Sequence, residues 1–352
     1  MKVYILGLFC SIFLLQACKK NDISKMKNSQ KEKFPYMVTM TAPDEYPVEV
    51  HIGVLTDDKK KLICGVPKAG VTTGSWQYDG AKAGQGGSTI PSHLDLTYVS
   101  YVEKKFWRVD ADLPKEKILQ LFREGFMIQG NPDDKGEFPW EESTYDELTI
   151  GAAPGGVIVV WLSGNHHKRE VCRLQAKETF VNKDEFMRRI DPKETQEQFY
   201  ELSYKILVPD STKQKIKENG IPFGIWDQYR EKYKYRFALR SYDEQDKIRR
   251  IYRINYDGES GFLMDAKAVE TYRQDGIPYN VEFSFTKYYT EVFFDDMEML
   301  DIFKKLKAKY PDKPIDIIIT PTFMYNEMKL SVQCESEEIP LKKYKVKGVW
   351  GG

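Results

Sequence analysis

The sequence predicts an α+β protein built from two related units of antiparallel strands, each with one packed helix. Three observations predict this. Aromatic residues make up 13% of the chain, with 22 Tyr and 19 Phe, and these favour strands. Short stretches alternate apolar and polar, the period-two pattern of a half-buried strand. One order of elements also occurs twice. Val281, Phe283, Phe285, Tyr288, Phe293 and Phe294 repeat the type and spacing of Leu94, Leu96, Tyr98, Tyr101, Phe106 and Trp107, the mark of an internal repeat.

Residues 36–40 and 48–55 alternate like strands, and Pro43 and Pro47 bound a turn between them. A Gly-rich stretch runs over 65–91, and within it Gly84–Gly87 are expected as a mobile surface loop. The strands holding Leu94–Tyr98 and Phe106-Trp107 follow. Leu113-Pro114 then opens a helix, because proline suits a first turn; Ile118, Leu119, Leu121 and Phe122 give its apolar stripe, and Gly125 ends it. Residues 148–150 and 157–162 pair across Ala153-Pro154-Gly155-Gly156, and 171–174 form another strand. In the second half a hairpin over 248–256 turns at Asp257-Gly258. A helix over 297–309 is capped by Asp295 or Asp296 and buries Met299, Ile302, Phe303 and Leu306. Strands at 315–319 and 328–332 complete the repeat.

Composition narrows the class of function. Lys plus Arg equals Asp plus Glu at 53 each, so no net field draws the chain to nucleic acid. Charged residues at 30% and apolar ones at 41% suit a globular body with an ordinary core. No later apolar run reaches the ~20 residues that cross a bilayer.

The start of the chain carries its own signal. Lys2, an apolar run 3–15, and Leu15-Gln16-Ala17-Cys18 make a secretory leader too short to span a membrane. Leu15-Gln16-Ala17-Cys18 resembles the lipobox of bacterial lipoproteins. That resemblance implies cleavage after Ala17 and acyl chains on Cys18, which anchor stably when several are present. Lys19 is not the aspartate that retains many such proteins at the inner membrane, so the outer membrane is expected. Between Lys19 and Lys33 six lysines face Asp22 and Glu32 without apolar periodicity, a flexible tether. The expected boundaries are therefore a signal peptide at 1–17, a lipidated tether at 18–34, a first strand-rich unit at 35–180, a helical connector at 181–220 and a second unit at 221–352.

The body resembles the bacterial lipoproteins grouped as domain-of-unknown-function family 2931. The resemblance rests on Tyr46-Pro47-Val48-Glu49-Val50-His51, Gly74-Ser75-Trp76, Gly86-Gly87, Ile90-Pro91, Glu103-Lys104-Lys105-Phe106 and Leu113-Pro114. It continues through Tyr145-Asp146, Pro154-Gly155-Gly156-Val157, Trp161-Leu162-Ser163-Gly164 and the block from Gly220 to Arg230. It covers 36–175 densely and the rest thinly. It implies a place in the cell envelope and brings no reaction, cofactor or catalytic residue.

Compact catalytic signatures are missing from the sequence. The four histidines (His51, His93, His166 and His167) show no HExxH spacing. His166-His167 are expected at a solvated hairpin tip. Gly84–Gly87 lack the Gly-Lys-Ser/Thr that ends a phosphate loop. Cys64, Cys172 and Cys334 lie far apart without CxxC spacing and are expected as buried thiols in sheets, although export would permit one bridge. The carboxylate pairs Asp133-Asp134 and Glu141-Glu142, beside Trp140, fit a solvated loop better than a glycosidase or calcium site.

Trp226, Tyr229 and Arg230 lie in a segment where aromatics and opposite charges interleave. Such residues dominate binding hot spots, and they fit equally well a short amphipathic helix with its aromatics in the core. The resulting expectation is a cell-envelope lipoprotein that binds a protein partner, neutralising a toxin or serving a surface complex, with no cofactor, no metal and no catalytic residue. An extracytoplasmic hydrolase acting on glycan, or a lipoprotein capturing carbohydrate or lipid, is the alternative. The anchor is testable alone. Cys18→Ser is expected to abolish palmitate labelling and to release the protein from membranes; wild-type labelling in that variant would remove the lipobox reading.

Overall fold

The structure, a computed structural model, describes residues 33–351 apart from 73, 75, 79, 133–138, 188–192 and 326. The expected signal peptide, Cys18, the tether as far as 32, and Asp133-Asp134 lie outside the described residues.

The first half runs β1 (Tyr36–Thr41), β2 (Val48–Thr56), β3 (Leu62–Gly65), β4 (Val71–Thr72), β5 (Ala81–Gly87), β6 (His93–Ser100), β7 (Lys105–Asp112) and α1 (Lys115–Glu124). It continues with β8 (Phe126–Gln129), β9 (Trp140–Ser143), β10 (Glu147–Ala153), β11 (Val157–Gly164), β12 (His167–Gln175) and β13 (Lys177–Thr179). Four helices follow: α2 (Lys183–Phe186), α3 (Gln196–Leu207), α4 (Asp210–Asn219) and α5 (Ile225–Tyr229). The second half is β14 (Tyr233–Leu239), β15 (Ile248–Asn255), β16 (Ser260–Leu263), α6 (Ala266–Glu270), β17 (Arg273–Asp275), β18 (Pro278–Phe285) and β19 (Tyr288–Phe294). It ends with α7 (Asp296–Lys309), β20 (Ile315–Pro321), β21 (Met328–Cys334), β22 (Glu337–Pro340) and β23 (Tyr344–Gly351).

The two halves share one topology. In the first, strands lie in the orders β12-β11-β10-β1-β5 and β13-β7-β6-β2-β3; in the second, β22-β21-β20-β14-β17 and β23-β19-β18-β15-β16. Position for position these are the same pair of sheets. Each half also sets one parallel pair into otherwise antiparallel company, β1 with β10 and β14 with β20. The helix between β7 and β10 corresponds to the helix between β19 and β20. The fold is thus a duplicated α+β unit, as the repeated pattern predicts.

The packed helix of each half forms for the reasons read from its sequence; α3, capped by Thr195, is not among the elements expected from sequence. Pro114 precedes α1, Gly125 ends it at φ +50°, and Ile118, Leu119 and Phe122 are buried. Asp295 caps α7 by accepting from the Glu298 N–H at 2.9 Å, and Met299, Ile302, Phe303 and Leu306 are buried. Burial of side chains this large stabilises by roughly 1.5–3 kcal/mol apiece.

Three readings change. Glu141 and Glu142, expected in a loop, are exposed residues of β9. Gly86 and Gly87 belong to β5 and pair with Met37 and Tyr36 of β1. A Cβ on Gly86 would stand 2.3 Å from the Tyr36 carbonyl oxygen, so glycine here admits close backbone approach instead of loosening a loop. The hairpin tip after β11 is Asn165-His166, at φ +46° and +66°; His167 begins β12 and stacks on Phe126 at 3.9 Å. Cys64, Cys172 and Cys334 are free thiols in β3, β12 and β21, the first and last buried.

Strand β11 explains how the halves meet. All eight of its residues are buried. Ile158, Val160 and Leu162 join Leu96, Tyr98, Leu148 and Phe122 in the core of the first half. Val157, Val159 and Trp161 join a second core that runs from Val99 and Phe106 of the first half through Phe199, Trp226 and Tyr229 of the helices to Phe283 and Phe303 of the second half. A strand covered on both faces reads as an unbroken apolar run, which is what Val157–Leu162 is. One backbone pairing, Lys168 with Ser260, links β12 to β16, so the two sheets become one of ten strands.

The turn Asp257-Gly258-Glu259 seals this joint. Trp161 donates its Nε1–H to the Asp257 carbonyl at 3.2 Å, and Glu259 accepts from the Glu170 backbone N–H at 2.9 Å. Lys232 reaches Asp257 at 2.5 Å and Glu259 at 2.6 Å. Gly258 has φ +87°, and a Cβ there would meet Trp161 and the Trp76 carbonyl at 3.0 Å. Gly258→Ala is therefore expected to lower stability by about 1–3 kcal/mol, read as a fall in the denaturation midpoint. An unchanged midpoint would mean that the turn is not clamped between the halves.

Candidate functional site

The joint leaves an open cleft of about 990 Å³ whose walls come from three parts of the chain, at the upper end of the size range for ligand pockets. The first half supplies Asp44, Glu45 and Tyr46 from the β1–β2 turn, with Trp76 and Gln77. The helical segment supplies Lys215, Phe223, Trp226 and Tyr229. The second half supplies Tyr256, Tyr279, Asp296 and Met297.

Local sequence dictates the placement of each group. Pro43 and Pro47 bracket the turn that presents Asp44–Tyr46. Gly220 and Gly224, at φ +75° and +83°, let the chain leave α4 and enter α5 in conformations that side chains disfavour. In α5 Trp226 and Tyr229 lie three residues apart and share a face. Tyr46 meets Trp226 edge-on at 5.3 Å, while Tyr229 stacks on Tyr256 at 5.0 Å and Tyr256 meets Tyr279 edge-on at 5.2 Å. These rings form two groups, both lining the cleft and joined through α5, which carries Trp226 and Tyr229.

The polar groups are ordered as well. Tyr229 donates its hydroxyl to Asp296, and Tyr256 donates to the Phe294 carbonyl at 2.6 Å. Burial, then the Asp296 charge, pushes the Tyr229 phenol far up; burial and Asp296 do the same to Tyr256. Tyr46 is pushed up to about 12 by burial and Glu45. The phenols are therefore neutral donors at any physiological pH. Asp44 is raised by burial and then by Glu45 beside it. Lys215 pairs with Glu45 at 2.5 Å.

The residues singled out from sequence part company here. Trp226 and Tyr229 line the cleft floor at 4% and 8% exposure. Arg230 points away, gripping Glu170 of β12 through two hydrogen bonds of 2.8 and 2.7 Å. Its neighbour Asp227 accepts from Arg173 at 3.0 and 2.9 Å, so α5 is tied ionically to the first half. Sequence reading missed Asp44, Tyr256, Tyr279 and the second role of Asp296. The only available signal was the density of tyrosine around the Asp257-Gly258 turn.

A second cavity of about 540 Å³ opens across Gln77 and Tyr78, lined by Asp146, Glu147, His166, Lys168 and Tyr252. Its lysine is committed internally. Lys168 donates to the Trp76 and Tyr78 carbonyls at 3.2 and 2.9 Å and lies 4.5 Å over the Trp161 ring. Glu147 accepts from Ser163 at 3.4 Å, within a buried ladder running through Thr149 to Thr39. Lys168 holds the Trp76 loop against the joint. Elsewhere His93 bridges Asp110 and Asp112 at 2.8 Å each. Among the described residues no group of three or more His, Cys, Asp or Glu side chains is arranged to hold a metal ion, and no described helix is long and apolar enough to cross a membrane.

Fold and cleft together define a duplicated α+β protein whose distinctive concavity lies where its halves join. The chain belongs to the family described as "Protein of unknown function (DUF2931)", whose model matches residues 23–224. That match takes in the first half and the helices up to Gly224, leaving the second half beyond it. No curated protein and no solved structure matches the chain.

Proposed function

We propose that this is a lipoprotein of the cell envelope, anchored through Cys18 at the outer membrane, and that it works by binding a protein partner in the cleft between its halves. The partner is a toxin to be neutralised or a component of a surface complex. The observation that carries the reading is the ring-lined cleft itself. Two large apolar side chains, Phe223 at 59% and Met297 at 50% exposure, stand at its rim with only solvent against part of their surface. Aromatic groups at the edge of a concavity of this size favour recognition. The leader and Leu15-Gln16-Ala17-Cys18 support the anchor. Tethering to a membrane would raise the local concentration of such a binder at the envelope without altering any contact.

Capture of a glycan is the second reading, favoured by the half-buried faces of Tyr256 and Tyr279, since rings of this kind stack on apolar ligand faces. Site-specific photo-crosslinking in cells separates the two. A crosslinker replacing Phe223 is expected to give one dominant protein adduct, and one replacing Phe323, a ring 70% exposed outside the cleft, none. The adducted partner, once purified, is expected to bind Phe223→Ala at least about tenfold more weakly, the size of a hot-spot loss. Equal adducts at both positions, or wild-type affinity in the variant, would contradict the proposal.

A further inference from the structure

We propose that the cleft is built for a basic side chain, the lysine or arginine of an extended segment in the protein partner. This inference rests on the binding reading above and names what the site recognises.

Among the described residues, the charge left unpaired around the cleft has one sign. Asp44, Glu45 and Asp296 line it, and its single ammonium, Lys215, is already held by Glu45 at 2.5 Å. Asp44 has no hydrogen-bond or ion-pair partner among the described residues; burial and then the Asp44 charge raise the Tyr279 phenol. Asp296 receives one hydrogen bond, from the Tyr229 hydroxyl, and a carboxylate has room for more. Asp296 also sits in the first turn of α7, where the helix dipole favours an anion. The Asp295 cap and the Asp296 charge already answer that dipole, so it calls for no anionic ligand.

The rings between these carboxylates suit a long cationic side chain. Tyr256 has Tyr229 stacked on it at 5.0 Å and Tyr279 edge-on at 5.2 Å. The methylene stem of lysine or arginine can lie along such rings while its charged end meets a carboxylate, and the ring faces attract the cation itself. A purely apolar occupant would instead desolvate Asp44 without pairing it, which costs more than the contact returns. An anionic occupant would meet Asp44 and Asp296 with no free cation among the described lining residues to answer it, since Lys215 is held by Glu45. Sign of charge and ring geometry therefore select the same ligand class.

The test uses the intact purified protein and end-blocked tripeptides, followed by calorimetry. Trilysine and triarginine are expected to bind, triglutamine and triglutamate at least about tenfold more weakly, with affinity falling as salt rises. Asp44→Asn, an exposed turn substitution, is expected to cost about tenfold for the basic peptides and nothing for triglutamine. Maltotriose serves as the glycan arm. Triglutamine binding as tightly as trilysine would overturn the charge inference and leave the binding cleft standing. Maltotriose binding in preference to every peptide would overturn both. Failure of both basic peptides to bind at millimolar concentration, or an Asp44→Asn variant with unchanged affinity, would overturn the inference, while the Phe223 crosslinking decides the binding reading independently.

Discussion

The turn Asp257-Gly258-Glu259 fixes the relation of the two halves, and the cleft depends on that relation. A single backbone pairing between β12 and β16 is too little to orient two sheets. Orientation comes from burying the Val157, Val159 and Trp161 face of β11 in a core shared by the first half, the connecting helices and the second half and from seating the turn over Trp161. Seating it takes two carboxylates out of water, a cost of several kcal/mol per ion unless each is paired. Lys232 pairs both. The same short stretch of chain carries Asp227 to Arg173 and Arg230 to Glu170. Three charged residues within six, making four ion pairs, thus hold α5 as one wall of the cleft. Trp226 and Tyr229 face the cavity because their neighbours are fastened elsewhere.

Duplication supplies the frame, and departure from symmetry supplies the site. Both halves use the same strand orders, with a helix at the same point. Helix α1 starts after Pro114 with no side-chain cap, whereas α7 starts after Asp295 and places Asp296 beside Tyr229. The connecting helices add a second asymmetry. Phe186 packs on Phe106 of β7 at 5.2 Å and on Phe199 of α3 at 6.0 Å, which roofs one sheet of the first half. The segment that continues from them then lines the cleft. Both copies keep their cores; the cleft draws on the turns and helices that differ between them.

The duplicated fold was legible because alternation exposes which face a strand buries, and Leu94–Tyr98 and Val281–Phe285 alternate alike. Helix ends were legible through Pro114, Gly125 and Asp295, whose chemistry acts within one turn. The turn at Asp257-Gly258 was legible as a turn, but what covers it depends on β11, nearly a hundred residues earlier in the chain. The parallel pairing of β1 with β10 has the same character: no local residue encodes a partner so distant. Gly86 and Gly87 misled because glycine marks both loose loops and tight approach, and only the position of the Tyr36 carbonyl decides between them. For Trp226–Arg230 the amphipathic character was plain from sequence, yet its outcome was set by Glu170 and Asp296. The site is therefore less legible than the fold, since its residues gather from six separate stretches.

The central claim is that the joint makes the two halves one cooperative body with a fixed cleft. Native-state hydrogen exchange tests it most directly, because opening free energies are read strand by strand. If the joint holds as described, amides of β10 and β11 in the first half and of β18 and β19 in the second open with the same free energy and the same denaturant dependence. Loss of protection across β18 and β19 at denaturant concentrations that leave β10 and β11 fully protected, or the reverse, would show halves that come apart freely, and a cleft without fixed walls.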